Sequence, residues 1–290
     1  MSGDAGSPPG APGGEPYGHA GSPEVGRTVD AGGIATNYHD AGTGPVVVLI
    51  HGSGPGVSAW ANWRPVMPLL SSRFRVLAPD IVGFGHTERP NGFEYRLPSW
   101  IAHLRAFLDA LGIERAHLVG NSFGGALALW LAVETSYVDR LVLMGSVGLY
   151  FEITAGLDAV WGYQPSYENM RSLLDIFAFD PSLATDDLAR LRYEASTRPG
   201  VQESYAAMFP PPRQRWVDAL ALPESRLASL ANEALVIHGR EDRVIPVASS
   251  MRLGQLLPNS QLHVFGRCGH WTQIEHTARF ARLVGDFLGE

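Results

Sequence analysis

The sequence predicts an α/β protein built on a mostly parallel sheet, with helices on both faces and a helical insert. Three observations carry that prediction. From residue 33 onward, short apolar runs alternate with longer segments of helical spacing. The alternation stops between residues 147 and 216, where the patterns are helical, and it resumes at Ala234. Material for a core is ample, since 45% of the 290 residues are hydrophobic and 18% are charged.

Taken in order, the chain opens on a segment unlike the rest. Of residues 1–26, 13 are Gly or Pro, and large apolar side chains are nearly absent. Such a stretch cannot bury enough surface to offset its ordering entropy, so a flexible tail is expected. Ile34–His39 reads as a short strand and Ala41–Gly44 as a turn. Pro45–Ile50 (PVVVLI) is apolar without a break, as a strand covered on both faces requires. Further strands are expected at Arg75–Ala78, Ala116–Val119, Arg140–Met144, Ala234–Ile237 and Gln261–Val264. Helices are expected between them, at Trp60–Leu70, Pro98–Leu111, Ser122–Val133, Ala248–Leu257 and Thr277–Leu288.

The interruption reads as helices at Ser166–Ala178, Thr185–Thr197 and Val201–Met208. Residues 147–216 hold 11 of the chain's 28 aromatics. Singly, each is ordinary core material. As a group they can wall an apolar pocket. The sheet needs strands from both sides of the interruption. The expected organisation is therefore a tail at 1–26, a core made of 27–146 and 217–290, and a helical lid at 147–216.

Composition also excludes function classes. A formal net charge of −7 argues against a nucleic-acid partner, which would need a basic surface. One cysteine rules out an internal disulfide framework and any Cys-cluster metal site. The longest apolar run, Ala126–Val133, falls far short of the ~20 residues that span a bilayer. No basic start followed by an apolar stretch marks a signal peptide. A cytoplasmic protein with no membrane partner is expected.

Gly120-Asn121-Ser122-Phe123-Gly124 is a G-x-S-x-G sequence. Alone it is weak, but it follows an expected strand and opens an expected helix, as a nucleophile elbow does. Gly120, Gly124 and Gly125 supply small residues where side chains would clash, and the helix N-terminus offers free N–H groups. A serine hydroxyl needs a base, and the base an acid, in the chain order Ser, Asp/Glu, His. His270, after the strand Gln261–Val264, fits the base. Asp242, after the strand Ala234–Ile237, fits the acid, with Glu241 as its rival. Each lies just past the C-terminal end of a strand, where sites of open α/β sheets collect. The glycine-rich loop His51–Gly56 follows the central strand and can aim N–H groups at an oxyanion, together with the N–H of Phe123. It lacks the G-K-[ST] ending of a phosphate-binding loop.

Five segments resemble the meta-cleavage product hydrolases of the α/β-hydrolase fold, which break carbon–carbon bonds in ring-fission products of catechols. They are HGSGPGVSAWANW (His51–Trp63), GNSFGG (Gly120–Gly125), LVLMGSVG (Leu141–Gly148), HGREDRVIP (His238–Pro246) and GRCGHWTQIEH (Gly266–His276). The resemblance runs from about residue 25 to the end and looks closest to hydrolases of 2-hydroxymuconate semialdehyde. It implies a triad of Ser122, Asp242 and His270, and an oxyanion hole from the N–H groups of Ser53 and Phe123. It further implies that Gly52, Gly54, Asn62, Asn121, Phe177, Arg192 and Trp271 meet the substrate. Arg192 would receive its carboxylate, with the neighbouring Arg190 as a competing assignment. Cys268 matches a cysteine near the pocket, and equally fits a small packed residue.

The implied substrate is a 2-hydroxy-6-oxohexa-2,4-dienoate, a small anion carrying hydrogen or a short alkyl group at C6. The implied reaction is hydrolysis of C5–C6 with neither metal nor organic cofactor. Acylation of Ser122 and direct addition of water are both open at this stage. The resemblance also suggests a homodimer. A serine esterase or thioesterase shares the triad and is separated from this reading by the flanking motifs and the lid arginine. A non-catalytic receptor would not need an intact triad, and a haloalkane dehalogenase would carry Asp in place of Ser122.

Overall fold

The computed structural model describes residues 22–290. Eight strands form one sheet: β1 (Arg27–Asp30), β2 (Ala35–Ala41), β3 (Val46–Ile50), β4 (Arg75–Pro79), β5 (Ala116–Asn121), β6 (Val138–Met144), β7 (Ala234–Gly239) and β8 (Ser260–Phe265). Their order is β1-β2-β4-β3-β5-β6-β7-β8. The β1–β2 and β2–β4 pairs are antiparallel, and every pair from β4 to β8 is parallel. The helices before the insert are α1 (Ala59–Trp63), α2 (Met67–Leu70), α3 (Leu97–Ala110) and α4 (Phe123–Glu134).

The unbroken apolar run of β3 is explained by its two faces. Val48 and Ile50 pack into the layer of α3 and α4, beside Trp100, Phe107 and Leu127. Val47 and Leu49 pack into the opposite layer, beside Trp63 of α1, Met67 of α2 and Phe280 near the C-terminus. Each such fully buried aliphatic side chain contributes about 1.5–3 kcal/mol of burial free energy. The expected helix at Trp60–Leu70 is two short helices. Pro65 lies in the break; its ring has no N–H to donate and would clash with the preceding turn.

Between β6 and β7 lie α5 (Ala155–Trp161), α6 (Tyr167–Phe177), α7 (Asp186–Ser196), α8 (Val201–Met208), α9 (Gln214–Leu220) and α10 (Glu224–Ala228). Thr154, Ser166 and Thr185 cap α5, α6 and α7 by accepting a backbone N–H three residues on. Helix α9 straddles the expected lid boundary at 216. Past residue 216 the chain is still held to the core, where Trp130 Nε1 donates to Leu220 O (2.9 Å) and Leu222 N to Gly148 O (3.0 Å). The chain closes with α11 (Val247–Leu256), α12 (Thr272–Glu275) and α13 (Thr277–Gly289).

The expected tail needs a correction at its end. Residues 1–21 lie outside the described residues, but 22–26 pack against the sheet. Gly26 N donates to Asn37 Oδ1 (2.8 Å), and Asn37 Nδ2 donates to Glu24 O (3.1 Å). The Glu24 carboxylate sits 3.6 Å from Arg198 Nη1 and 3.5 Å from His86 Nε2. Specific polar contacts thus order a segment that has no hydrophobic pattern.

One histidine makes this fold acid-sensitive. His103 of α3 is buried; its Nδ1 accepts from Val82 N (3.3 Å), and its Nε2 lies 2.8 Å from Thr36 Oγ1. Thr36 Oγ1 donates to Ile34 O, so the ring donates from Nε2 and is neutral. Burial, with a smaller effect of His51, lowers its pKa from 6.5 to about 4. The unfolded chain binds this proton first, so stability is whole above pH 6.5 and is lost as the pH falls toward 4. The expected loss is on the order of 3 kcal/mol. Urea unfolding across this range should show a steeper acid decline for wild type than for His103→Leu; parallel declines would rule this cause out.

Candidate active site

The site is assembled at the C-terminal ends of β3, β5, β7 and β8. Ser122 follows β5 directly and precedes α4, with φ 54° and ψ −114°. This is a strained conformation for a residue with a side chain. Neighbours that approach closely hold it there. Ser122 N donates to Met144 O (2.8 Å), while Ser122 O accepts from Gly125 N and Val147 N. A Cβ at Gly120 would lie 2.5 Å from Gly124 O, and one at Gly124 would lie 2.3 Å from Ile50 O. Only glycine fits at either position, which is why the motif carries glycine on both sides of the serine.

Asp242 lies beyond β7 and His270 beyond β8. His270 Nδ1 is 2.7 Å from Asp242 Oδ2. Asp242 Oδ1 accepts from Val244 N (2.7 Å) and Ile245 N (3.0 Å). Burial pushes the Asp242 pKa up, but the adjacent His270 and the other donors outweigh it and hold the carboxyl below its ordinary value. Asp242 is therefore ionised, and it fixes the imidazole with Nδ1 protonated and Nε2 left to accept a proton. Glu241 is not at the histidine: it accepts from Arg240 Nε and Cys268 N. Ser122 and His270 line the same cavity without a direct hydrogen bond between them. Such bonds commonly tighten only once substrate is bound.

That cavity is lined by core and insert together. Gly52, Ser53, Gly54, Asn62, Asn121, Ser122, Phe177, Arg192, His270 and Trp271 all border it, so the expected side chains converge on one space. Phe123 is buried below, and its backbone N–H, like that of Ser53, has no protein acceptor among the described residues. His51 explains how the Ser53 N–H is aimed. Its Nδ1 donates to Gly52 O (2.7 Å) and its Nε2 accepts from Ile81 N (3.0 Å), fixing the peptide that carries that N–H. Asn62 Oδ1 accepts from Gly52 N (2.9 Å), so that N–H is already occupied and the Asn62 amide N–H groups remain for a ligand.

Arg192 donates to Ala61 O (3.1 Å). Burial lowers its guanidinium to about 10, opposed by the charge of Glu24, so it stays positive at neutral pH. Arg190 instead lies over the Tyr167 ring at 5.9 Å, on the exposed side of the helix. Phe177 stacks on Trp271 (4.9 Å, 18°), and its carbonyl accepts from His270 N (2.7 Å). Cys268 does not border the cavity; it packs in the layer with Phe265 and Phe280, and burial pushes its thiol well above the ordinary range. Pro55, Val57, Leu157, Val160, Met170, Leu174, Val244 and Ile274 complete the lining. Sequence alone could not single these out, because apolar residues at helical spacing look the same in a core as in a pocket.

A family model for the α/β hydrolase fold matches residues 45–277. A 2-hydroxy-6-oxo-2,4-heptadienoate hydrolase of Pseudomonas putida F1 is 63% identical over 91% of this chain and 96% of its own length. A 2-hydroxymuconate semialdehyde hydrolase of Pseudomonas sp. CF600 is 62% identical over 93% of this chain and 95% of its own. A solved meta-cleavage product hydrolase from Pseudomonas fluorescens, a serine-to-alanine mutant holding acetates, superposes with a TM-score of 0.91. It is 61% identical and covers 92% of this chain and 98% of its own. The chain belongs to the α/β-hydrolase superfamily and, within it, to the meta-cleavage product hydrolases.

Proposed function

We propose that this enzyme hydrolyses the C5–C6 bond of 2-hydroxy-6-oxohexa-2,4-dienoates, giving 2-hydroxypenta-2,4-dienoate and formate or a short carboxylic acid. The observation that carries this reading is one cavity bordered by Ser122, the His270–Asp242 pair and the cationic Arg192. An esterase needs the first three. An anion-binding arginine adds a reason for a carboxylate at the far end of the substrate. The two Pseudomonas relatives named above by substrate act on dienoates with hydrogen or methyl at C6, which favours a small acyl end. Helices α5 to α9 would serve as the lid over this substrate. A homodimer, suggested by the family likeness, and a cytoplasmic setting, suggested by the composition, belong to the same reading.

The chemistry has two stages. Cleavage needs an electron sink, and the conjugated enol offers one only after C5 becomes sp3. Neutral His270 takes the proton of the 2-hydroxyl and delivers it to C5. Arg192 holds the C1 carboxylate meanwhile, and Asn62 and Asn121 hydrogen-bond the dienolate. The ring, neutral again, then takes the proton of Ser122, whose Oγ adds to C6. The N–H groups of Ser53 and Phe123 meet the oxyanion. When C5–C6 breaks, its electron pair runs through the C3–C4 double bond to the C2 oxygen, which is reprotonated. Water, deprotonated by His270, then releases the acyl group from Ser122. Asp242 stabilises the imidazolium at each transfer.

Two outcomes are expected. Purified protein mixed with 2-hydroxymuconate semialdehyde should bleach the yellow dienolate, and Ser122→Ala should lose this by at least about 10³-fold. Cleavage of p-nitrophenyl acetate with no bleaching would make the protein an esterase. Arg192→Gln should lower kcat/KM for the dienoate by about 10²-fold, while neutral ester hydrolysis changes far less. Equal losses on both substrates would remove the carboxylate role.

A further inference from the structure

We propose that Trp161 and Tyr205, two aromatic residues of the insert, are positioning residues that set the geometry of the oxyanion hole. The inference deepens the reading above, since it rests on Ser53 and Phe123 supplying the oxyanion donors. The loop that carries Ser53 is Gly52-Ser53-Gly54-Pro55-Gly56 and has little stiffness of its own. On the core side, His51 and Asn62 hold the peptide before Ser53. On the other side the insert holds it. Trp161 Nε1 donates to Ser53 Oγ at 2.9 Å. The Tyr205 hydroxyl lies 3.0 Å from Ser53 O and 2.7 Å from Val160 O, bridging the loop to the end of α5. All three residues are buried, so water does not compete for these bonds.

The same two side chains reach the second donor. Trp161 stacks face to face on Phe209 at 4.3 Å and 8°. Tyr205 meets the edge of Phe209 at 6.3 Å. Phe209 in turn packs at right angles on Phe123 (6.2 Å, 83°). Trp100 meets Phe123 edge-on at 4.8 Å and lies against Phe209 at 6.1 Å, closing the cluster. One aromatic group thus touches Ser53 through hydrogen bonds and Phe123 through packing. It comes from the insert, whereas both donors come from the core. A hole fixed in this way is complete only with the insert seated.

Trp161→Phe removes the N–H and keeps a ring over Phe209; Tyr205→Phe removes one oxygen. Each should lower kcat by about 10- to 10²-fold, since a small misplacement of a preorganised donor costs that much. KM should stay within about threefold. The loss should be alike for 2-hydroxymuconate semialdehyde and p-nitrophenyl acetate, because both form an oxyanion in the same place. The Ki of butylboronic acid, which places an oxygen in the hole as a tetrahedral serine adduct, should rise in parallel with the fall in kcat. Dienoate affinity in the Ser122→Ala background should not change. The double variant should lose less than the product of the single losses, as both groups hold one loop. Folded variants with unchanged kcat and boronate Ki would overturn the proposal. So would a raised KM at constant kcat, which would make both residues mere pocket wall. The ester and boronate readouts do not depend on the dienoate, so failure of dienoate cleavage by the wild type would count against the substrate assignment instead.

Discussion

The site hangs on the buried carboxylate of Asp80, at the end of β4. Asp80 Oδ2 accepts from Asn37 Nδ2 and His86 N, both at 2.7 Å, and Oδ1 accepts from Ala59 N at 2.6 Å. Charge-assisted bonds of this kind, sheltered from water, are about twice as strong as neutral ones. Each leads somewhere. The bond to Ala59 seats α1, and α1 places Asn62 against Gly52 and offers Ala61 O to Arg192. The bond to Asn37 continues to the carbonyl of Glu24 and so fastens residues 22–26. A single carboxylate, in direct contact with no cation among the described residues, thus links β2, β4, the first helix and the chain's outermost described segment.

Catalytic geometry is built on that frame with strain in one place and restraint in others. The backbone at Ser122 is forced out of the favoured regions, and it stays there because β6, the loop after it and α4 leave no room to relax. His270 and Asp242 are restrained by hydrogen bonds, with the Phe177 ring stacked on the imidazole. The carboxylate is satisfied on both oxygens before any substrate arrives, so the imidazole has one orientation open to it. The cavity is shared in the same sense: Ser53, Asn62, Ser122 and His270 come from the core, and the insert brings Arg192 and half of the apolar wall.

Much of this was legible in the sequence, for identifiable reasons. Parallel strands buried on both faces are written as apolar runs, unbroken in β3 and at the start of β7 and interrupted by His117 in β5, so all three were found close to their observed places. The elbow was legible because close backbone contacts demand glycine at Gly120 and Gly124. Strand β1 was not, because four mostly exposed residues at a sheet edge carry no hydrophobic pattern. The docking of residues 22–26 was hidden for a related cause: their contacts are polar and long-range, and Gly/Pro content speaks only of chain entropy. Helix α5 and the residues Trp161 and Tyr205 show the limit most clearly. Composition flagged the aromatics as a group, but which ones touch the loop at Ser53 depends on how the insert folds back.

The placement of Arg192 on α7 and of Ser122 on the strand-to-helix turn has a consequence for which molecules can react. A substrate held at both ends is gauged by its own length. On the proposed reading, the carboxylate would reach one element while the carbonyl reaches another, with a flat conjugated chain between them. A shorter oxo acid could satisfy either end but not both, and a flexible one of equal length would lose the entropy of being held straight. An enzyme of this kind would work as a caliper: it would select by span and rigidity, and its apolar wall need only accommodate the group beyond the carbonyl.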